Sequence, residues 1–151
     1  MATLEIALGL IAEKHAGQKD RGGAPYVLYP LAVMAKVQSI EEKIVAVLHD
    51  VVEDTDVTFN DLSGMGFSVA IVRAVESVTK REGEDRFTAA HRSAANRIGC
   101  AVKLADVSEN MNMSRLTNPT AKDFDRLEQY KKVKEILEDA KMTRWNNFLA
   151  V

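Results

Sequence analysis

The sequence has a single cysteine, Cys100, among its 151 residues, so it cannot form an internal disulfide. It also has no apolar run long enough to span a bilayer and no signal-peptide pattern, which makes the cytoplasm the expected location. Neither sign of charge dominates, because 20 Lys and Arg face 22 Asp and Glu, a formal charge of −2. This balance gives no overall electrostatic reason to bind nucleic acid or a membrane, so any anion site must be local.

Internal repeats, linkers and convincing strand patterns are also missing. What is present is a globular composition, 46% apolar and 28% charged, over a length that fits one hydrophobic core. We therefore predict a single all-α domain over residues 1–151. Its last segment, residues 138–151, contains the only tryptophan, Trp145, together with Phe148 and Leu149, and we expect this tail to dock on the domain.

Capping residues and the spacing of apolar residues predict the helices. Ser39 with Glu42 three residues later is a capping-box pair, and the apolar run behind it predicts a helix that continues through Val52. Gly99 is expected to separate a helix over residues 87–98 from one over residues 100–116, and residues 79–85 are expected to form a loop. The predicted helices begin at or beside Leu4, Pro30, Ser39, Thr58, Ser68, Phe87, Cys100 and Thr120.

A group of titratable residues follows directly on an apolar helix. His49 and Asp50 come after Val-Ala-Val-Leu, and Glu53 and Asp54 lie four residues further on, so the four groups crowd about one helical turn. Charge buried in such a setting is costly unless it is paired or binds a metal. An imidazole beside a carboxylate suits Mn²⁺, Fe²⁺ or Zn²⁺. The alternative is a helix-end histidine beside solvated acids.

A metal site needs a further ligand from elsewhere in the chain. Asp106 is the best candidate, because it too interrupts an apolar helix, and Asn110 lies one turn further on the same side. The alternative for Asp106 is an exposed helical aspartate.

Taken in order, these segments resemble the HD-domain hydrolases of the RelA/SpoT type, and most of all their stand-alone small alarmone hydrolases. The resemblance covers about residues 2–137. The block His-Asp-x-x-Glu-Asp-Thr combined with Lys-Leu-Ala-Asp is its most specific part. The matching segments are Lys14-His15-Ala16-Gly17-Gln18, Gly23-Ala24-Pro25-Tyr26, Leu48-His49-Asp50-Val51-Val52-Glu53-Asp54-Thr55, Val78-Thr79-Lys80, Val102-Lys103-Leu104-Ala105-Asp106 and Asn110-Met111.

The resemblance implies a helical HD-domain bundle and metal-dependent removal of the 3′-pyrophosphate from guanosine tetra- or pentaphosphate, usually with Mn²⁺. The expected partner is this small nucleotide, and the oligomeric state is left open. His49, Asp50 and Asp106 match the metal ligands of the family, and Glu53 and Asp54 match its acidic pair that orients and activates water. The positions matching nucleotide or phosphate contacts are Arg21, Lys80, Asn110, Arg126 and Tyr130.

Two positions depart from the family pattern. Where the family has a His-Pro pair whose histidine is a metal ligand, this chain has Tyr29 before Pro30. A neutral phenol is a poor ligand for Mn²⁺, so the site is reduced to three protein ligands, unless Tyr29 has a role of its own, blocking the metal cavity or stacking on a different substrate. Asp20 stands where many relatives have arginine. His15 is expected to be a core residue rather than a replacement ligand, and His91 is a weaker candidate still.

Two other functions stay open on the sequence alone. The same machinery can act on another nucleotide or dinucleotide phosphate, because fold and metal site do not fix the leaving group. Alternatively, the domain is a catalytically weakened module that binds a nucleotide or a protein partner, which Tyr29 favours and the retained Glu53 and Asp54 oppose.

Overall fold

The computed structural model describes residues 1–150, apart from the side chain of Arg115. In this part of the chain there is no β-strand, and the only bridge pairs Lys19 with Pro25. The helices are α1 (Leu4–Lys14), α2 (Leu28–Ala35), α3 (Ile40–Leu48), α4 (Val51–Asp54), α5 (Phe59–Gly64), α6 (Val69–Val78), α7 (Arg86–Ala94), α8 (Arg97–Asn110) and α9 (Ala121–Leu149), with a 3₁₀ turn at Met113–Arg115.

Helix α8 lies at the centre of the bundle. It packs on α2, α3 and α6 on one side and on α7 and α9 on the other. Val102 and Ala105 join the larger apolar cluster, which also contains residues of α1 to α3, α5 and α6. Cys100 and Val107 join a smaller cluster with α7 and α9. Because α8 is buried on two faces, a polar residue between those faces is held in a fixed place.

The predicted helix starts are confirmed where the signal is a local cap. Ser39 with Glu42 and Thr58 with Asp61 form capping boxes, and Ser68 caps α6. Thr120 precedes α9 with its own capping box. The predicted loop over residues 79–85 is also present.

The prediction of one continuous helix through Val52 was wrong, because α3 ends at Leu48 and α4 begins at Val51. The His49 ring explains the break. Its Nδ1 lies 2.6 Å from the carbonyl oxygen of Ala46, and in a continuous helix that oxygen accepts the backbone N–H of Asp50. The break turns His49 and Asp50 towards the same space.

Gly99 does not separate two helices as predicted. The break falls at Ala95 and Asn96, and Gly99 lies inside α8, where the side chain of Asn96 caps its N–H. A Cβ on Gly99 would lie 2.0 Å from the Ser77 hydroxyl oxygen on α6. Glycine therefore allows α6 and α8 to pack closely, and α8 ends at Asn110 rather than Leu116.

The expected docking of the tail was also wrong for its large apolar side chains. Helix α9 runs on without a break to Leu149, and the exposed fractions are 55% for Trp145, 70% for Phe148 and 61% for Leu149. Two other residues of this segment do reach the domain: Arg144 donates to the carbonyl oxygen of Ala94, and Ala140 packs against the smaller apolar cluster. The two aromatic rings stack on each other instead of on the core.

Candidate active site

His49 is the centre of the site and is only 2% exposed. Its Nδ1–H donates to the Ala46 carbonyl, which leaves Nε2 as the ring nitrogen that faces the site. Nε2 lies 3.1 Å from Asp50 Oδ2 and 3.5 Å from Asp106 Oδ1. Within the described residues this buried atom has no aligned hydrogen bond. A nitrogen lone pair facing two carboxylate oxygens is stable only when a positive charge lies between them.

The pKa shifts of His49, Asp50 and Asp106 also show that a positive charge at Nε2 is stabilised. Burial lowers the pKa of His49, but the carboxylates of Asp50 and Asp106 outweigh burial and raise it well above its ordinary value. Burial raises the pKa of Asp106, but Lys103 and His49 outweigh it and the net shift is downward. Burial raises the pKa of Asp50 as well, but His49 outweighs burial, and the net shift is again downward. Both carboxylates are therefore ionised, and a proton or a metal ion can supply the positive charge at Nε2.

The two carboxylates are held by hydroxyl and amine donors. The Tyr26 hydroxyl donates to Asp50 Oδ2. The Tyr29 hydroxyl lies 2.5 Å from Asp106 Oδ1, and Lys103 Nζ lies 2.8 Å from Asp106 Oδ2. These bonds fix the carboxylates opposite the imidazole.

The donor types fit a divalent metal, because one buried imidazole nitrogen and two carboxylates suit a borderline or hard cation. The residue types and their positions suit a metal ion, but the side chains do not form a complete coordination geometry. No group of three His, Cys, Asp or Glu side chains among the described residues has a ready metal-binding arrangement. The Tyr26 and Tyr29 hydroxyls donate to the same carboxylate oxygens that face His49.

Glu53 and Asp54 lie on α4, directly after the metal-ligand candidates. Glu53 Oε1 accepts the backbone N–H of Lys80, so α4 is joined to the loop after α6. Desolvation in the pocket raises the pKa of Glu53, and Asp50 adds to this against the opposing Lys80 N–H. Desolvation and Asp50 also raise the pKa of Asp54. Glu53 faces the cavity, whereas Asp54 is not part of its lining.

A cavity of about 540 Å³ opens over Asp50 and Asp106. It gathers eight of the ten predicted site residues, with His49 buried behind its wall and Asp54 beside it. The predicted residues that line it are Arg21, Asp50, Glu53, Lys80, Asp106, Asn110, Arg126 and Tyr130. The cationic side chains among them suit a phosphorylated ligand.

Some of these residues already make contacts within the protein, which affects how they can bind a ligand. Both terminal nitrogens of Arg21 donate to the Asp123 carboxylate, so Arg21 must share its charge with a ligand. Asn110 Nδ2 donates to Asp106 Oδ1 at 3.2 Å, which places Asn110 beside the metal-ligand candidates. The guanidinium of Arg86 lies 4.7 Å from the Tyr130 ring centre, and therefore covers one face of that ring.

The structure shows several residues that support the site and that the sequence analysis did not single out. Tyr26 and Lys103 hold the two carboxylates, although both lie inside segments that carried the resemblance. Lys103 was the easier to find, because it lies three residues before Asp106, a spacing at which helical side chains pair. Arg92 was also missed: it donates to both oxygens of Glu84 and to the carbonyls of Glu76 and Thr79, and so holds the loop that carries Lys80.

The departures from the family pattern also have structural outcomes. Asp20 lines the cavity, but its Oδ1 accepts the N–H of Ala24 and so supports the turn after α1. His15 is confirmed as a buried residue, with Nδ1 2.9 Å from Gln18 Oε1 and its ring 5.0 Å from that of Tyr26. His91 is exposed and does not line the cavity.

Comparison with known proteins finds relatives that are named as guanosine-3′,5′-bis(diphosphate) 3′-pyrophosphohydrolases. The chain is 32% identical over 143 residues to the zebrafish (Danio rerio) guanosine-3′,5′-bis(diphosphate) 3′-pyrophosphohydrolase MESH1, covering 85% of this chain and 78% of the relative. The mouse (Mus musculus) MESH1 is also 32% identical, over 85% and 79% of the two chains. A bacterial pyrophosphohydrolase of the same name from Aquifex aeolicus is 40% identical over 81 residues, covering 51% of this chain and 12% of the relative.

The fold agrees with these sequence relatives. A solved structure of a metazoan SpoT ortholog, described as hydrolysing ppGpp, superimposes with a TM-score of 0.70 over 95% of this chain and 96% of the other, at 23% identity. No family model matches the chain. Because the similarity to the MESH1 proteins extends over most of both chains, this chain belongs to the small HD-type hydrolases of the RelA/SpoT family.

No helix within residues 1–150 has both the length and the apolar character needed to cross a membrane.

Proposed function

We propose that this protein is a metal-dependent hydrolase that removes the 3′-pyrophosphate from guanosine tetra- or pentaphosphate. The observation that carries the proposal is His49 Nε2, buried between the carboxylates of Asp50 and Asp106 beside a cavity whose lining includes Arg21, Lys80 and Arg126. The activity printed in the names of the MESH1 relatives supports the choice of substrate.

His49, Asp50 and Asp106 are the residues that hold the metal, with Mn²⁺ as the first choice. A divalent ion bound by this donor set supplies acidity to a water molecule and offsets charge on a phosphoryl oxygen. The protein's part is to keep the imidazole in the correct tautomer and both carboxylates ionised. The Ala46 carbonyl does the first, and Lys103 does the second for Asp106.

Glu53 is the group that accepts the proton of the attacking water. It is a carboxylate on the cavity wall, and its raised pKa makes it a better base than an ordinary glutamate. Asp54 lies outside the lining, so we assign the proton transfer to Glu53 and give Asp54 a role in orienting the water.

The reaction is balanced by one water molecule. The oxygen of water forms a bond to the phosphorus attached to O3′, and the bond from that phosphorus to O3′ breaks. The proton that leaves the water through Glu53 ends on O3′ of the nucleotide. The products are pyrophosphate and GDP, or GTP from the pentaphosphate.

The remaining site residues bind the nucleotide. Lys80 and Arg21 offset phosphate charge, and the bond from Arg21 to Asp123 keeps the guanidinium close to the cavity before substrate arrives. Arg126 and Tyr130 lie on the same face of α9 and hold the ribose or the base. Asn110 supports Asp106 from one turn away and contacts the nucleotide.

The test is turnover of a nucleotide panel by the purified protein with Mn²⁺. We expect guanosine tetraphosphate to give GDP and pyrophosphate in equal amounts, separated by anion-exchange chromatography. Glu128→Gln is a matched control for changes at Glu53, because Glu128 is 66% exposed and pairs with Lys131 away from the cavity. Preferred turnover of another nucleotide would replace the substrate, and binding without turnover of any nucleotide would identify a weakened binding module, the reading that Tyr29 favours.

A further inference from the structure

Asp106 accepts so many hydrogen bonds that little room is left for it to bind a metal ion. A carboxylate offers about four acceptor positions, two on each oxygen. Oδ1 receives the Tyr29 hydroxyl at 2.5 Å and the Asn110 amide at 3.2 Å, while Oδ2 receives Lys103 at 2.8 Å. Oδ1 is also the oxygen that faces His49 Nε2. Both acceptor positions on the oxygen that faces the site are therefore engaged.

Asp50 provides an internal comparison. Its Oδ2 faces His49 Nε2 at 3.1 Å and also accepts a tyrosine hydroxyl, from Tyr26. One strong donor on this oxygen leaves a second acceptor position for a cation. The two carboxylates thus have similar tyrosine partners, but only Asp106 must release a donor before that oxygen can bind a metal.

The Tyr29 hydroxyl makes the shorter of the two bonds to Oδ1, and it is a donor that can leave. It lies 3.1 Å from the backbone carbonyl oxygen of Asp106, so its proton has a second acceptor within reach. Its ring is held between those of Tyr26 and His49, with centres 6.0 and 5.9 Å away. The hydroxyl can therefore transfer its bond from Oδ1 to the carbonyl with the ring in place, and no buried O–H is left unpaired.

We infer that Tyr29 is a positioning residue whose hydroxyl competes with the metal ion for Asp106 Oδ1. The inference rests on the proposed function for its metal site. In this account Tyr29 is not a metal ligand. It holds Asp106 opposite His49 without metal, and a metal ion binds only when the hydroxyl turns to the carbonyl, so the site binds metal weakly and exchanges it readily.

The test is calorimetric titration of the full chain with Mn²⁺, comparing the wild type with Tyr29→Phe and Tyr26→Phe. A hydrogen bond to a charged acceptor is worth about tenfold or more in an equilibrium constant. Tyr29→Phe should therefore tighten Mn²⁺ binding by about tenfold. Tyr26→Phe is the matched control. It should not tighten Mn²⁺ binding, because Asp50 Oδ2 already has a second acceptor position open for the metal ion.

The inference is overturned if Tyr29→Phe weakens Mn²⁺ binding or leaves it unchanged, if both variants tighten it equally, or if none of the proteins binds Mn²⁺. Weaker binding would identify Tyr29 as a ligand. Tyr29→His is a second variant, should the phenylalanine protein fail to fold by circular dichroism, and it too should tighten binding by at least about tenfold.

The titration also separates this inference from the proposed function. If Tyr29→Phe binds Mn²⁺ more tightly but neither protein hydrolyses guanosine tetraphosphate, the competition stands and the substrate assignment fails. If the wild type hydrolyses the nucleotide and Tyr29→Phe does not tighten binding, the proposed function stands and the competition fails.

Discussion

Replacing Glu53 by glutamine separates its proposed role as a base from its role in holding the neighbouring loop. In the structure Glu53 Oε1 accepts the backbone N–H of Lys80. A glutamine carbonyl oxygen can accept the same bond, so the loop should stay in place. What glutamine cannot do is accept the proton of water at neutral pH.

The expected loss follows from that difference. Proton transfer by a positioned group contributes typically 10²- to 10⁴-fold, so kcat of Glu53→Gln should fall by about that factor. This corresponds to about 3–5 kcal/mol in the activation barrier. KM should change little, because the Lys80 N–H keeps its acceptor. Glu53→Ala removes both functions, and should lower kcat similarly while also raising KM.

The assay is the initial rate of pyrophosphate release from guanosine tetraphosphate at saturating Mn²⁺, with Glu128→Gln as control. The pH profile gives a second readout. The reaction needs ionised Glu53, whose pKa lies above its ordinary 4.5, so the wild-type rate should fall as the pH drops through that raised value. Activity of Glu53→Gln within threefold of the wild type would refute the assignment of Glu53 as the base.

Three further outcomes are expected. His49→Ala should lose Mn²⁺ binding in a titration with its helix content unchanged, whereas the exposed His91→Ala should bind as the wild type does. Gly99→Ala should lower the free energy of unfolding in urea by about 1–3 kcal/mol, because its Cβ would overlap the hydroxyl on α6; Gly9→Ala, with open space around its Cβ, should not destabilise. Glu84, whose pKa the Arg92 guanidinium lowers to about 2, stabilises the fold above its ordinary pKa of 4.5, and this stability is lost as the pH falls towards 2. Glu84→Gln should therefore flatten the acid limb of stability against pH, measured by urea unfolding at several pH values, and an unchanged limb would contradict the pairing.

The local signals in the sequence predicted most of the helix starts. Capping boxes such as Ser39 with Glu42 depend on residues three apart, and therefore need no knowledge of the rest of the fold. The break after Leu48 depends on where the His49 ring points, and the sequence pattern does not contain this. Gly99 was misread for a related reason, since its role depends on Ser77 of a neighbouring helix.

The candidate site shows the same division. His49, Asp50 and Asp106 stood out because each is a titratable residue in an apolar stretch. The bond from Tyr29 to Asp106 joins positions 77 residues apart, and the bond from Tyr26 to Asp50 joins positions 24 apart. The first pair joins α2 to α8, and the second joins the turn before α2 to the break between α3 and α4, so no periodicity in one segment could show them. The exposed aromatic tail is similar, because apolar composition does not say which side chains find a partner.

In the proposed mechanism, His49 Nε2 holds the metal ion of this hydrolase together with Asp50 and Asp106. The most direct measurement is electron spin echo spectroscopy of the Mn²⁺-loaded protein, which detects the nitrogen nucleus of a coordinated imidazole. We predict a nitrogen coupling in the wild type that disappears in His49→Gln and persists in His91→Gln. Bound Mn²⁺ without nitrogen coupling, or a coupling that survives in His49→Gln, would contradict the account.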